Sequence, residues 1–136
     1  MRTLQKLGAA ALLVCGIGLA SATTIHVRLT GAQEVPPVKT AATGEAVISV
    51  LPDHKVSGEV ITHGIKAFMA HIHEAAAGAN GPVIIALQHT AAHTWRVPPG
   101  AKLTGAEYRA FLAGDLYLNV HSRRHPAGEI RGQIKP

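Results

Sequence analysis

The chain of 136 residues has a single cysteine, Cys15, and only one tryptophan, two tyrosines and two phenylalanines. Cys15 lies in an N-terminal apolar run from Leu7 to Ala20, so a chain without that run would have no cysteine. This excludes disulfides and thiolate metal sites from the remainder, even where the compartment permits them. Any metal there must be held by nitrogen and oxygen. Charge is also sparse, at 15% of residues, with a formal net charge of +5. The basic residues are scattered, with Arg123-Arg124 the one adjacent pair, and Trp95, Phe68, Phe111, Tyr108 and Tyr117 do not alternate with them. Nucleic-acid binding therefore has little support. No Ser-His-Asp order, phosphate loop or paired-carboxylate arrangement stands out, which leaves nucleophilic catalysis without a starting point. The apolar run spans about 14 residues, short of the roughly 20 needed to cross a bilayer as a helix, and no later stretch approaches that length.

Arg2 and Lys6 precede the apolar run and Ala20-Ser21-Ala22 closes it, the order of a cleavable secretory signal. The expectation is a signal over residues 1–22 and a mature chain from Thr23 to Pro136, periplasmic or secreted, with no membrane span. Lipid attachment at Cys15 would call for a small residue where Val14 stands. Loss of Arg2 and Lys6 lowers the formal charge from +5 to +3. About 114 residues is the size of one domain with a single core.

Apolar and polar residues alternate in short runs separated by Gly, Pro and Asn, the period of half-buried strands. Strands are expected near Thr24–Thr30, Gly44–Leu51, Lys55–Thr62, Phe68–His73, Pro82–Leu87, Asp115–His121 and Gly128–Ile134. One helix is expected over Thr104–Leu112, where Thr104 can cap, Glu107 completes a capping box and Gly114 ends the segment. The predicted class is all-β: an antiparallel, Greek-key-like β-sandwich with one short helix.

Nine histidines are an unusual number for so small a chain, and their placement points to chemistry. In Met69-Ala70-His71-Ile72-His73 the strand period sends His71 and His73 to one face. In Leu116-Tyr117-Leu118-Asn119-Val120-His121 it buries Leu116, Leu118 and Val120 and turns Tyr117, Asn119 and His121 outward. His121 becomes a third ligand if the two strands meet. His125, after Ser122-Arg123-Arg124, is a candidate fourth if the chain turns there. His63 and Glu74 are further candidates, Glu74 as a partner that orients a ring nitrogen. Neutral imidazoles without thiolates suit copper, as Cu(I) or Cu(II), ahead of zinc. A lone His-x-His is more often a solvated pair on an exposed strand. His26, His54, His89 and His93 read as ordinary surface or loop residues. Glu129, Arg131 and Gln133 share a face opposite Ile130 and Ile134, and Arg131 offers a planar donor fork for Glu34 or Glu45. Gln33-Glu34-Val35-Pro36-Pro37 reads as a strand exit.

Five motifs, in order, resemble the CHRD domain first described in chordin: Leu29 to Pro37, Ala70-His71-Ile72-His73, Gly78-Ala79-Asn80-Gly81-Pro82, Gly114 to His121, and Gly128 to Gln133. The resemblance covers nearly all of the chain after Ala22 and implies an exported domain whose motifs include His71, His73 and His121, but not His125. The His-x-His on a β-sandwich strand also resembles copper-zinc superoxide dismutase, whose cysteines and bridging-histidine loop have no recognisable counterpart here. The leading expectation is an exported metal-binding protein serving metal storage, delivery or tolerance, with no catalysis required. The alternatives are a non-catalytic module that binds a protein or other ligand, and a dismutase-like copper redox enzyme.

Overall fold

The computed structural model describes residues 16–18 and 21–136. Most of the expected signal segment lies outside the described residues. Nine strands and one helix follow: β1 (Thr23–Thr30), β2 (Thr43–Val50), β3 (Val56–His63), β4 (Ala67–Glu74), β5 (Val83–Ala86), β6 (Gln88–Ala91), β7 (Thr94–Arg96), α1 (Gly105–Ala113), β8 (Leu116–Ser122) and β9 (Ile130–Ile134). Among the described residues, no helix is long and apolar enough to cross a membrane.

Alternation makes the strands. Ile25, Val27 and Leu29 of β1, Ala46, Ile48 and Val50 of β2, and Leu118 and Val120 of β8 are buried, and their side chains meet in one core. Burying such residues from both walls supplies most of the driving force for the fold. The helix has the expected caps: Thr104 accepts from the Glu107 amide, the Glu107 carboxylate accepts from the Thr104 amide, and Gly114 ends the helix in the left-handed region at φ 79°. A glycine takes that conformation without the steric cost that a Cβ would bring. Phe111 carries the helix into the core, and Tyr108 stacks on His54 at 4.1 Å between centroids. His54 is thus a packing residue of the β2–β3 turn.

All strand pairs are antiparallel and form a single sheet in the order β5-β4-β8-β9-β1-β2-β3-β7-β6. The two end strands of that order, β5 and β6, are separated in sequence by Leu87 alone, and the Leu87 amide donates to the Ala70 carbonyl of β4 at 2.9 Å. One residue can join opposite edges only if the sheet curls back on itself. The walls then face each other across the core, as in a sandwich, but in one nearly closed sheet that leaves little free edge. The all-β antiparallel class with one short helix is as expected, and β6 and β7 are additions. Gln88–Ala91 is exposed throughout and shows no apolar alternation, so nothing local marks it as a strand. Its pairing with β7, and the stacking of His89 on buried Trp95 at 4.5 Å, come from the closure of the sheet.

Candidate metal centre

The register of β4 against β8 pairs Met69 with His121, His71 with Asn119 and His73 with Tyr117, while Ala70 and Ile72 pair with Val120 and Leu118. On β9, Asn119 faces Arg131 and Tyr117 faces Gln133. Directly paired residues share a face, so His71, His73, Tyr117, Asn119, His121, Arg131 and Gln133 form one polar face, and the apolar partners form the core face. The strand parity read from sequence is correct.

The exposure read from sequence is not: all seven residues of β8 are buried. The polar face is roofed by the segment between β4 and β5, which is tied down residue by residue. Gln133 donates to the Ala75 carbonyl at 2.9 Å, and Arg131 donates to Asn80 Oδ1 at 3.0 Å and the Ala79 carbonyl at 2.6 Å. The Gly81 amide donates to the Tyr117 hydroxyl at 3.2 Å, and Asn80 donates to the Val35 carbonyl at 2.9 Å. These bonds satisfy polar groups that would otherwise be expensive to bury. Arg131, expected to pair with Glu34 or Glu45, is instead spent on this roof and lies over the Tyr117 ring at 3.4 Å from its centroid. Glu45 stands opposite Arg28 on β1.

Beneath the roof three histidines converge. His121 Nδ1 donates to the Pro126 carbonyl at 2.9 Å, which leaves Nε2 with a free lone pair. His71 Nδ1 lies 2.9 Å from that Nε2, so His71 is assigned as the donor, with the hydrogen on Nδ1. His73 Nδ1 donates to the Gly81 carbonyl at 2.9 Å, and its Nε2 lies 2.8 Å from Asn119 Oδ1. Its ring stacks on Tyr117 at 4.7 Å and 6°. One nitrogen from each of the three histidines falls within 4.8 Å of the others, a group that could hold a metal ion. Two of the three rings are oriented by a backbone carbonyl on Nδ1, the arrangement that fixes a histidine to offer Nε2.

Electrostatics favour the uncharged form of His71 and His121. Burial, and then the neighbouring His121 and His73, push His71 down to about 4. Burial also lowers His121, opposed by the hydrogen bond to Pro126 and reinforced by His73. Neutral imidazole is the ligating form.

Of the other expected candidates, His125 is not brought to this cluster. The Ser122–His125 turn, in which the His125 amide donates to the Ser122 carbonyl and hydroxyl, places its ring 3.7 Å from Glu129. His63 is exposed at the end of β3, and Glu74 ends β4 opposite Leu116. The surrounding polar residues were only partly signalled. Parity placed Tyr117 and Asn119 beside His121, whereas Glu34, read as part of a strand exit and as a possible partner of Arg131, gave no sign of its burial. It is 5% exposed and its Oε1 has no hydrogen-bond partner. Burial raises it to about 7, against the opposing pull of the Arg131 charge and the Asn119 amide. A Cβ on Gly128, where φ is 123°, would sit 2.5 Å from both Glu34 Oε1 and Asn119 Nδ2, so only glycine fits between them.

No curated protein and no solved structure matches the chain in comparison. The family model of the CHRD domain matches residues 25–134, from β1 to the end of β9 and including every residue of the histidine cluster, and the chain therefore belongs to the CHRD domain family.

Proposed function

We propose that this CHRD-domain protein is exported and binds a metal ion, copper in preference to zinc, through His71, His73 and His121. Its role on this reading is storage, delivery or tolerance of the metal, with no turnover. The observation that carries the reading is the 2.9 Å approach of His71 Nδ1 to His121 Nε2, with a third imidazole nitrogen within 4.8 Å. Moving the His71 hydrogen from Nδ1 to Nε2 turns that hydrogen bond into two lone pairs facing one point. His73 joins by exchanging Asn119 Oδ1 for the ion at Nε2 while keeping Gly81 on Nδ1. Nitrogen donors without thiolate favour copper over a structural zinc. His125, with its ring turned to Glu129, is left out of the ligand set.

Titration of the purified protein with Cu(I), Cu(II) and Zn(II), followed by dialysis against a weak competitor, tests this. One retained equivalent that disappears in the His71→Ala, His73→Ala, His121→Ala triple variant is the expected result. Retention by the triple variant would refute the ligand set. A copper-cycling redox activity becomes worth assaying only after copper is retained.

One observation favours a second reading, that of a non-catalytic module that binds a protein or other ligand and uses its histidines structurally. Both ring nitrogens of His73 already face oxygen partners, Gly81 and Asn119. That reading expects no stoichiometric metal, and a His73→Ala variant that is destabilised whether or not metal is present.

A further inference from the structure

Arg123 and Arg124 are the only adjacent cations in the sequence. The fold adds to them. The Ser122–His125 turn holds both exposed at the end of β8, and Lys39 and Lys66, remote in sequence, line the same cleft. Its volume is about 1040 Å³. Among the described residues, none of the four has a carboxylate oxygen within 4.0 Å of its side-chain nitrogens. The one acid in the lining, Glu129, is buried and already engaged, accepting from Ser122 Oγ at 3.2 Å and facing His125 at 3.7 Å. The Arg123 guanidinium lies over the Phe68 ring, 5.8 Å from its centroid, a weak contact at the wall of the cleft. Four cations gathered around a single buried carboxylate leave the lining with a formal excess of three positive charges (four minus one), and the field they focus in a cleft favours an anion.

The cleft is separate from the histidine cluster. Ser122 lines it, while His121, the preceding residue of β8, points to the other face, toward His71 and the Pro126 carbonyl, as strand alternation requires. It does not depend on the metal reading.

We propose that this cleft binds an anion carrying several phosphate groups. Guanidinium forks pair with phosphate oxygens in bidentate fashion, lysines add point charges, and the volume exceeds what one inorganic phosphate fills. Such phosphates come either from a soluble oligophosphate or from the headgroups of an anionic membrane surface.

The test uses the metal-free protein in about 0.15 M salt, where loosely held surface ions are screened. Tripolyphosphate is titrated calorimetrically, and vesicles of phosphatidylglycerol are tested by co-sedimentation. Binding to either probe is expected, weakened at least tenfold by Arg123→Ala with Arg124→Ala and by Lys39→Ala with Lys66→Ala. Because all four side chains are exposed, both double variants should unfold at the parent temperature. Arg109→Ala with Lys135→Ala, exposed cations outside the cleft, should bind as the parent does. Tripolyphosphate alone would identify a soluble ligand, and vesicles alone or in addition a headgroup. Binding of neither probe, or equal loss in the Arg109 and Lys135 control, would overturn the proposal.

Discussion

Replacing Glu34 by glutamine should change the sense in which stability depends on pH. Glu34 lies under the loops beside Asn119 and Gly128, with Oε1 unpartnered, and its proton affinity corresponds to about 7 in place of the ordinary 4.5. Between those two values the folded protein holds a proton that the unfolded chain has released. The stabilising contribution is therefore complete below about pH 4.5 and is lost as pH rises through about 7. Each tenfold change in proton affinity is worth about 1.4 kcal/mol, so the whole displacement amounts to about 3 kcal/mol. Screening by water at the loop surface reduces this to roughly 2 kcal/mol. Glutamine keeps the shape of the protonated acid and cannot ionise. Urea unfolding of the metal-free protein, followed by the fluorescence of buried Trp95 at pH 5, 6, 7 and 8, compares the two. Near pH 5 the proteins should be close in stability, and by pH 8 Glu34→Gln should be the more stable by roughly 2 kcal/mol. His71 and His121 titrate in both proteins and cancel in the difference. A parent profile parallel to that of the variant would show that Glu34 is solvated or fully paired, and would refute the reasoning from burial.

Gly128→Ala puts a methyl 2.5 Å from Glu34 Oε1 and Asn119 Nδ2 at a φ that L-residues rarely adopt, and should cost about 2–3 kcal/mol in a urea melt. Since His71 stays neutral down to about 4 and His121 is also lowered, protons should compete with the metal at these two ligands only at low pH, so that affinity falls by no more than about tenfold per pH unit between pH 8 and pH 6. Equilibrium dialysis at pH 8, 6 and 4.5 checks this, and a loss steeper than about tenfold per pH unit near the ordinary histidine value of about 6.5, which takes more than one protonated ligand, would contradict it. Thr104→Ala removes one half of the capping box and should cost about 1 kcal/mol by thermal unfolding while leaving metal content unchanged, because α1 contributes no residue to the histidine group.

The histidine cluster shows how far local pattern reaches. Period-two alternation put His71 and His73 on one face of β4, and Tyr117, Asn119 and His121 on one face of β8, because side-chain direction in a strand depends only on residue parity. It could not say that β4 and β8 are neighbours, since pairing partners are chosen by the packing of the whole sheet. Nor could it say that this face is covered. The roof is built from Arg131, Gln133, Asn80 and backbone carbonyls of the segment after Glu74, contacts between parts of the chain that sequence separates. His125 failed to join for the same kind of reason: the turn from Ser122 brought it toward Glu129.

The identity of the helix and of every strand but β6 and β7, the turns, the capping box and the likeness to the CHRD domain were decided by the order of residues along the chain, because parity, caps and turn residues act over a few positions. Closure of the sheet through Leu87, the meeting of three imidazoles, the burial of Glu34 and the gathering of Lys39 and Lys66 around Arg123 and Arg124 were decided only by the tertiary structure. Each depends on register and on loop closure between distant segments, and these are set by the joint packing of the core.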